Sequence, residues 1–292
     1  MASSTLTLPN APDVLGAIAR LRDLPASAPV VHRALAELEG PEFVVARLRK
    51  ILLADEAVAA RILRLANSAY FGFRSQVHTV SQAIVLLGQN RIRTLLRRIL
   101  ADKLLLDLGQ TRSAAAPLRR MSLATATACC TLSQLLLRED PEELLLAGLL
   151  HNLGDLFFLS QFPAEYWRAG QLAGTLGFQE AAVVVFGMTS GEAGKLLLSA
   201  WHFPLLYRFV VEHIDDPFAA QCPPELVFSL TLAHAGKRLA EPFIGGVDAA
   251  EAVLRVSPAL CERLGLDAEL LAEAYRRIPQ RMSLEQLQAG RN

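Results

Sequence analysis

Cysteine is scarce in this chain and poorly spaced for chemistry. Cys129, Cys130, Cys222 and Cys261 include one adjacent pair and no C-x-x-C, so neither a zinc knuckle nor a disulfide framework is suggested and buried reduced thiols are the expectation. A charge excess of either sign is missing as well. The 29 basic and 29 acidic residues cancel, leaving no overall field to attract nucleic acid or an anionic membrane, so such binding would need a local patch. No uninterrupted apolar run approaches the ~20 residues of a spanning helix. The opening "MASSTLTLPNAPD" also lacks a basic segment and an apolar signal core, so the expected location is the cytoplasm, with no membrane partner. Gly-rich phosphate loops, G-x-S-x-G and paired Cys-His signatures do not occur. Nor do β-branched residues alternate over a convincing strand. The nearest case, "AAVVVF" from Ala181 to Phe186, sits inside a longer helical pattern.

Helical spacing is what the sequence does have, over 292 residues of which 52% are hydrophobic, enough for a substantial core. An all-α fold is expected. Asp55 can cap a helix running to about Ala66, with Val58, Ile62 and Leu65 on one face. Thr79 and Gln82 have capping-box spacing before "AIVLLG", and Gly88 suits the left-handed residue that ends that helix; Asn90 opens the next. Asp140, Pro141 and Glu143 give a cap, a first-turn proline and a favourably placed carboxylate, starting a buried helix with His151 near its C-terminal end. Gly, Ser and Pro interrupt the apolar pattern from Leu106 to Pro117, which places a boundary there. The expected organisation is an extension over 1–20, a helical lobe over 21–106, a second lobe over 117–240, and a helical segment with a polar tail over 241–292.

Several strings then carry a resemblance. "LPASAPVVHRALAEL", "LADEAVAARILRLANSAYFGF" and "VSQAIVLLGQNRIRTLL", followed in order by "LLAGLLHNLGDL" and "SGEAGKLLLSAWHFP", resemble the HDOD domain, the HD-related output domain of bacterial signalling proteins. The match spans roughly Leu21 to Ala240, and its most specific part is "LANSAYFG" with the "AIVLLG" helix behind it. The resemblance implies a two-lobed HD-domain-like helical bundle, usually without a complete metal site. Catalytic HD domains need an earlier His, a His-Asp pair and a later Asp to hold a metal that activates water. Here His151 is followed by Asn152. The earlier window, Leu118 to Ala128, has Met121 or Ser122 where a His is expected, and the later one, Leu232 to Ala240, has His234 but no carboxylate. Of the implied ligands only His151 remains, and "GMTSGEAG" has Thr189 and Ser190 where related chains often carry a further His. No metal, no cofactor and no catalysis are therefore expected, and His151 is read as a core histidine donating to a backbone carbonyl or to Asp155.

A fold kept without its chemistry leaves recognition as its use. The expected function is regulatory, through a signalling protein partner or a small-molecule or nucleotide ligand. The candidate ligand cleft comprises His151, Asn152, Asp155, His213 and His234. The candidate partner surface is the loop carrying Tyr70, Phe71, Phe73 and Arg74, because aromatic residues beside an Arg are favoured at interface centres. Two alternatives stand beside it. One is a phosphohydrolase or cyclic-nucleotide phosphodiesterase with a rearranged site. The other is nucleic-acid binding through the helix from Arg91 to Arg98, against which stand the zero net charge and the apolar Ile92, Leu95, Leu96 and Ile99.

Overall fold

The computed structural model describes residues 11–21, 28–40, 42–68, 75–105, 114–218, 221–254 and 256–281, and all regular structure among them is helical. The first group comprises α1 (Val14–Arg20), α2 (Ala28–Glu39), α3 (Val45–Leu52), α4 (Glu56–Ala66) and α5 (Val80–Leu105). Helices α2, α3 and α4 all pack on α5. Capping chemistry fixes their starts. Asp55 accepts the Val58 amide at 2.9 Å, and Thr79 and Gln82 close a reciprocal box at 3.1 and 3.2 Å. Gly88 interrupts α5 at φ 74°, ψ 164°, a backbone geometry that side chains disfavour.

The second group is built around α6 (Ala116–Leu136). It continues with α7 (Pro141–Leu150), α8 (Leu153–Gln161), α9 (Pro163–Leu176), α10 (Phe178–Phe186), α11 (Ser190–Ala200), α12 (Leu205–His213) and α13 (Val227–Ile244). The segment "AAVVVF" is thus part of a helix, as its surrounding periodicity implied. Three closing helices follow, α14 (Ala249–Leu254), α15 (Pro258–Leu264) and α16 (Ala268–Arg281). Helices α7, α13 and α16 all lie against α6, so the closing segment is part of this packing. The interruption at 106–113 and the tail from 282 onward lie outside the described residues.

Helix α7 and helix α8 are largely buried. An 18-residue stretch within Pro141–Gln161 reaches a mean hydropathy of 1.2, yet 83% of that stretch is buried inside the fold, the pattern of a core element rather than an exposed span. Phe157 and Phe158 are fully buried, and the Phe158 ring stacks on Phe186 at 3.9 Å between centroids. Each such side chain stabilises the fold by about 1.5–3 kcal/mol relative to exposure. This apolar packing is what holds the end of α7 in a fixed place.

Polar contacts join the two groups. From α6, Arg119 reaches the start of α4, with Nε 3.5 Å from the Glu56 carboxylate and an amino group 4.0 Å from Asp55. From the first turn of α7, Glu142 accepts the Ser81 amide at 2.9 Å and approaches Arg49 at 3.4 Å. Its neighbour Glu143 stands 3.0 Å from His78 Nδ1. The Tyr207 hydroxyl donates to the His78 carbonyl, and Arg64 lies over the Trp201 ring at 5.3 Å. Helix α1 adds an apolar contact, packing on α11 with Val14 and Ile18 buried.

Candidate functional site

His151 closes α7, which the Asp140 side chain starts by accepting the Glu142 amide at 2.8 Å. Its Nδ1 stands 2.7 Å from the Gly148 carbonyl. A carbonyl only accepts, so Nδ1 carries the proton and Nε2 presents a bare lone pair. That Nε2 is buried without a hydrogen-bond partner. Burial, aided by the positive charge of Lys237, pushes the imidazole down to about 3, against weaker support from Gly148 and Asp215. The ring is a neutral acceptor at ordinary pH. Of the two roles read for it from sequence, donation to a backbone carbonyl is the one observed.

Asn152 faces α6. Its amide nitrogen donates to the Leu118 carbonyl at 3.3 Å and lies 3.5 Å from Ser122 Oγ. The residue following His151 is thus tied to Ser122, one of the two residues read at the earlier His position. Both have polar, uncharged side chains, and each is buried.

Asp155 lies one turn beyond His151 on α8. Gly154 lets α8 approach α11 backbone to backbone, because a Cβ there would stand 1.8 Å from the Ser190 carbonyl oxygen. Burial raises the Asp155 carboxyl to about 6, while the Ser190 hydrogen bond and Lys237 pull it down. A chain of polar groups leads outward from this point. Gln179 Nε2 stands 3.3 Å from Ser190 Oγ and 3.1 Å from Asp215 Oδ2, and Lys237 donates to the other Asp215 oxygen. Burial works against the Asp215 carboxylate, but the charge and hydrogen bond of Lys237, together with His151 and His234, hold the group below its usual range. His234 Nδ1 is 2.6 Å from the Ile214 carbonyl. Burial lowers the His234 ring, against that hydrogen bond.

Of the residues expected in the cleft, His151, Asp155 and His234 all feel the charges of Asp215 and Lys237. Asn152 is engaged with α6. His213 Nε2 lies 3.0 Å from Glu212, which also pairs with Lys195, and its ring packs on Phe209 at 4.6 Å between centroids. Tyr70, Phe71, Phe73 and Arg74 lie outside the described residues. Among the described residues, no group of three or more His, Cys, Asp and Glu side chains is placed to hold a metal ion.

Sequence reasoning missed Lys237, Asp215 and Gln179. Lys237 had a signal, since it lies one turn from His234 in the window searched for a carboxylate. Asp215 and Gln179 had none, because they reach the cleft from a loop and from α10. On the alternative basic helix, Arg93 donates to Asn90 at 2.9 Å and to the Leu38 carbonyl at 2.8 Å, and the Arg97 and Arg98 side chains lie outside the described set.

Comparison with known proteins follows the same outline. The HDOD domain model matches residues 24–217. A response regulator, MmoQ of Methylococcus capsulatus, is 23% identical with a TM-score of 0.67, covering 88% of this chain and 99% of its own. A virulence factor of Campylobacter jejuni is 19% identical with a TM-score of 0.69, covering 92% of this chain and 97% of its own. At such identities the likeness is one of fold. An uncharacterized protein of Treponema pallidum is 24% identical over 189 residues, which are 63% of this chain but only 36% of that relative.

Proposed function

The chain belongs to the HDOD domain family, and from that premise we propose that it is a non-catalytic regulatory module, acting in signal transduction by binding a protein partner or a small ligand. The observation that carries this reading is the chemistry of the position after His151. A catalytic HD centre needs a charged oxygen there, and Asn152 instead offers an amide already bonded toward Leu118 and Ser122. A neutral amide adds little to the binding of a hard cation. Lys237 weighs in the same direction, because an ammonium whose charge reaches the remaining imidazole opposes a second positive charge. The resemblance of the fold to a response regulator accords with a signalling role.

One observation favours the phosphohydrolase alternative, the buried and unpartnered Nε2 of His151, which is the kind of lone pair a metal takes. Metal analysis of tag-free protein purified without chelator decides between the two. The expected result is below about a tenth of an equivalent per chain, unchanged by incubation with manganese, iron or zinc, and no hydrolysis of a phosphodiester. One or two equivalents, lost together with hydrolysis on His151→Ala, would establish the enzyme.

A further inference from the structure

We infer that the Lys237 ammonium is the resident cation of the cleft, a fixed charge seated among the side chains that an external metal ion would otherwise bring together. The geometry is specific. Lys237 projects from α13, one turn beyond His234, and is only 16% exposed. It donates to one oxygen of Asp215, while the other accepts Gln179 at 3.1 Å. His234 bonds to the carbonyl of Ile214, the residue just before Asp215, at 2.6 Å, so α13 grips this loop at two adjacent points. Gln179 carries the network inward to Ser190 at 3.3 Å, and the close approach at Gly154 sets Ser190 beside Asp155.

The ammonium is bonded to the Asp215 carboxylate and lies one turn from His234 on α13, and its charge acts on His151, Asp155 and His234 as well. Two imidazoles and two carboxylates are the donor types of a divalent centre. They do not converge as one, since no three of the described His, Cys, Asp and Glu side chains stand together for a metal. The donors and the HD ancestry point to a metal, while with Lys237 in place the side chains are not gathered around one. A lysine in the midst of them accounts for both facts. Its charge offsets the burial that pushes the Asp155 and Asp215 carboxyls up. The inference rests on the metal-free reading of the cleft given above, and it goes further by naming what replaces the metal.

The test is thermal unfolding of the purified full chain, with and without excess Mn2+, for the wild type, Lys237→Ala and Lys237→Arg. The wild type is expected to be indifferent to Mn2+. Lys237→Ala should unfold about 3 °C or more lower and regain a substantial part of that loss with Mn2+, because the emptied seat then accepts an external cation. Lys237→Arg, which keeps the charge, should behave as the wild type. A Lys237→Ala protein that is no less stable, or whose loss Mn2+ does not restore, would overturn the inference and leave the metal-free reading standing. A rise with Mn2+ in the wild type itself would overturn that underlying reading. If Lys237→Ala does not fold, Lys237→Gln, which keeps the stem and removes the charge, is read by the same criteria.

Discussion

Burial gives individual residues their chemistry here, and Glu56 is the clearest case. Its side chain is 1% exposed, and burial, reinforced by Asp55 and opposed by Arg119, raises the carboxyl to about 7. A carboxyl that binds its proton more tightly in the folded state than in the unfolded chain favours folding at low pH. Its contribution is complete below about 4.5 and lost as pH rises through about 7. Glu56→Gln should therefore be more stable than the wild type at pH 8, by an amount of order 1–3 kcal/mol, with the difference vanishing near pH 5. Urea midpoints at the two values check this. His151 acts in the opposite sense, since a ring held down to about 3 must stay neutral in the fold and costs stability as pH falls below 6.5. Comparing Glu56→Gln with the wild type cancels that shared contribution.

At the scale of elements, the cleft depends on how closely helices approach. Gly154 is the point where α8 meets the start of α11, and a Cβ there would fall 1.8 Å from a backbone oxygen that has no side-chain freedom to yield. Gly154→Ala should destabilise the protein by about 3 kcal/mol, the upper end of overpacking costs, read as a fall in urea midpoint at unchanged slope. The sequence announced the starts of these helices well, because a cap is a local matter between residues two or three apart. Asp55, Thr79 with Gln82 and Asp140 all cap as their spacing implied. It gave no sign that Gly154 was a contact point, since a glycine beside a helix start reads equally well as a loop residue.

Across the whole molecule, the two groups of helices meet through charged side chains at helix starts. The Ser81 amide belongs to the first turn of α5, where no carbonyl of its own helix is available, and Glu142 from the first turn of α7 supplies the acceptor at 2.9 Å. Glu142→Ala should cost about 1–2 kcal/mol, in the range of a lost cap, and speed amide exchange at the start of α5 more than within α6. Equal rates at both places would mean that this contact does not hold the groups together. The ion pair to Arg49 adds little to the loss, because that arginine is 41% exposed and screened by solvent.

What the sequence by itself determined was the helical fold, its caps, the family, and the identity of His151 and Asn152 as the informative pair. Periodicity, capping and short family strings are all local, so they survive in one dimension. The contents of the cleft were decided by tertiary structure. His151 and Asp155 are four residues apart and could be paired on paper, but Gln179, Asp215 and Lys237 come from α10, a loop and α13. Their meeting depends on helices brought together by apolar burial, which is non-directional and leaves no spacing rule between the polar groups it encloses.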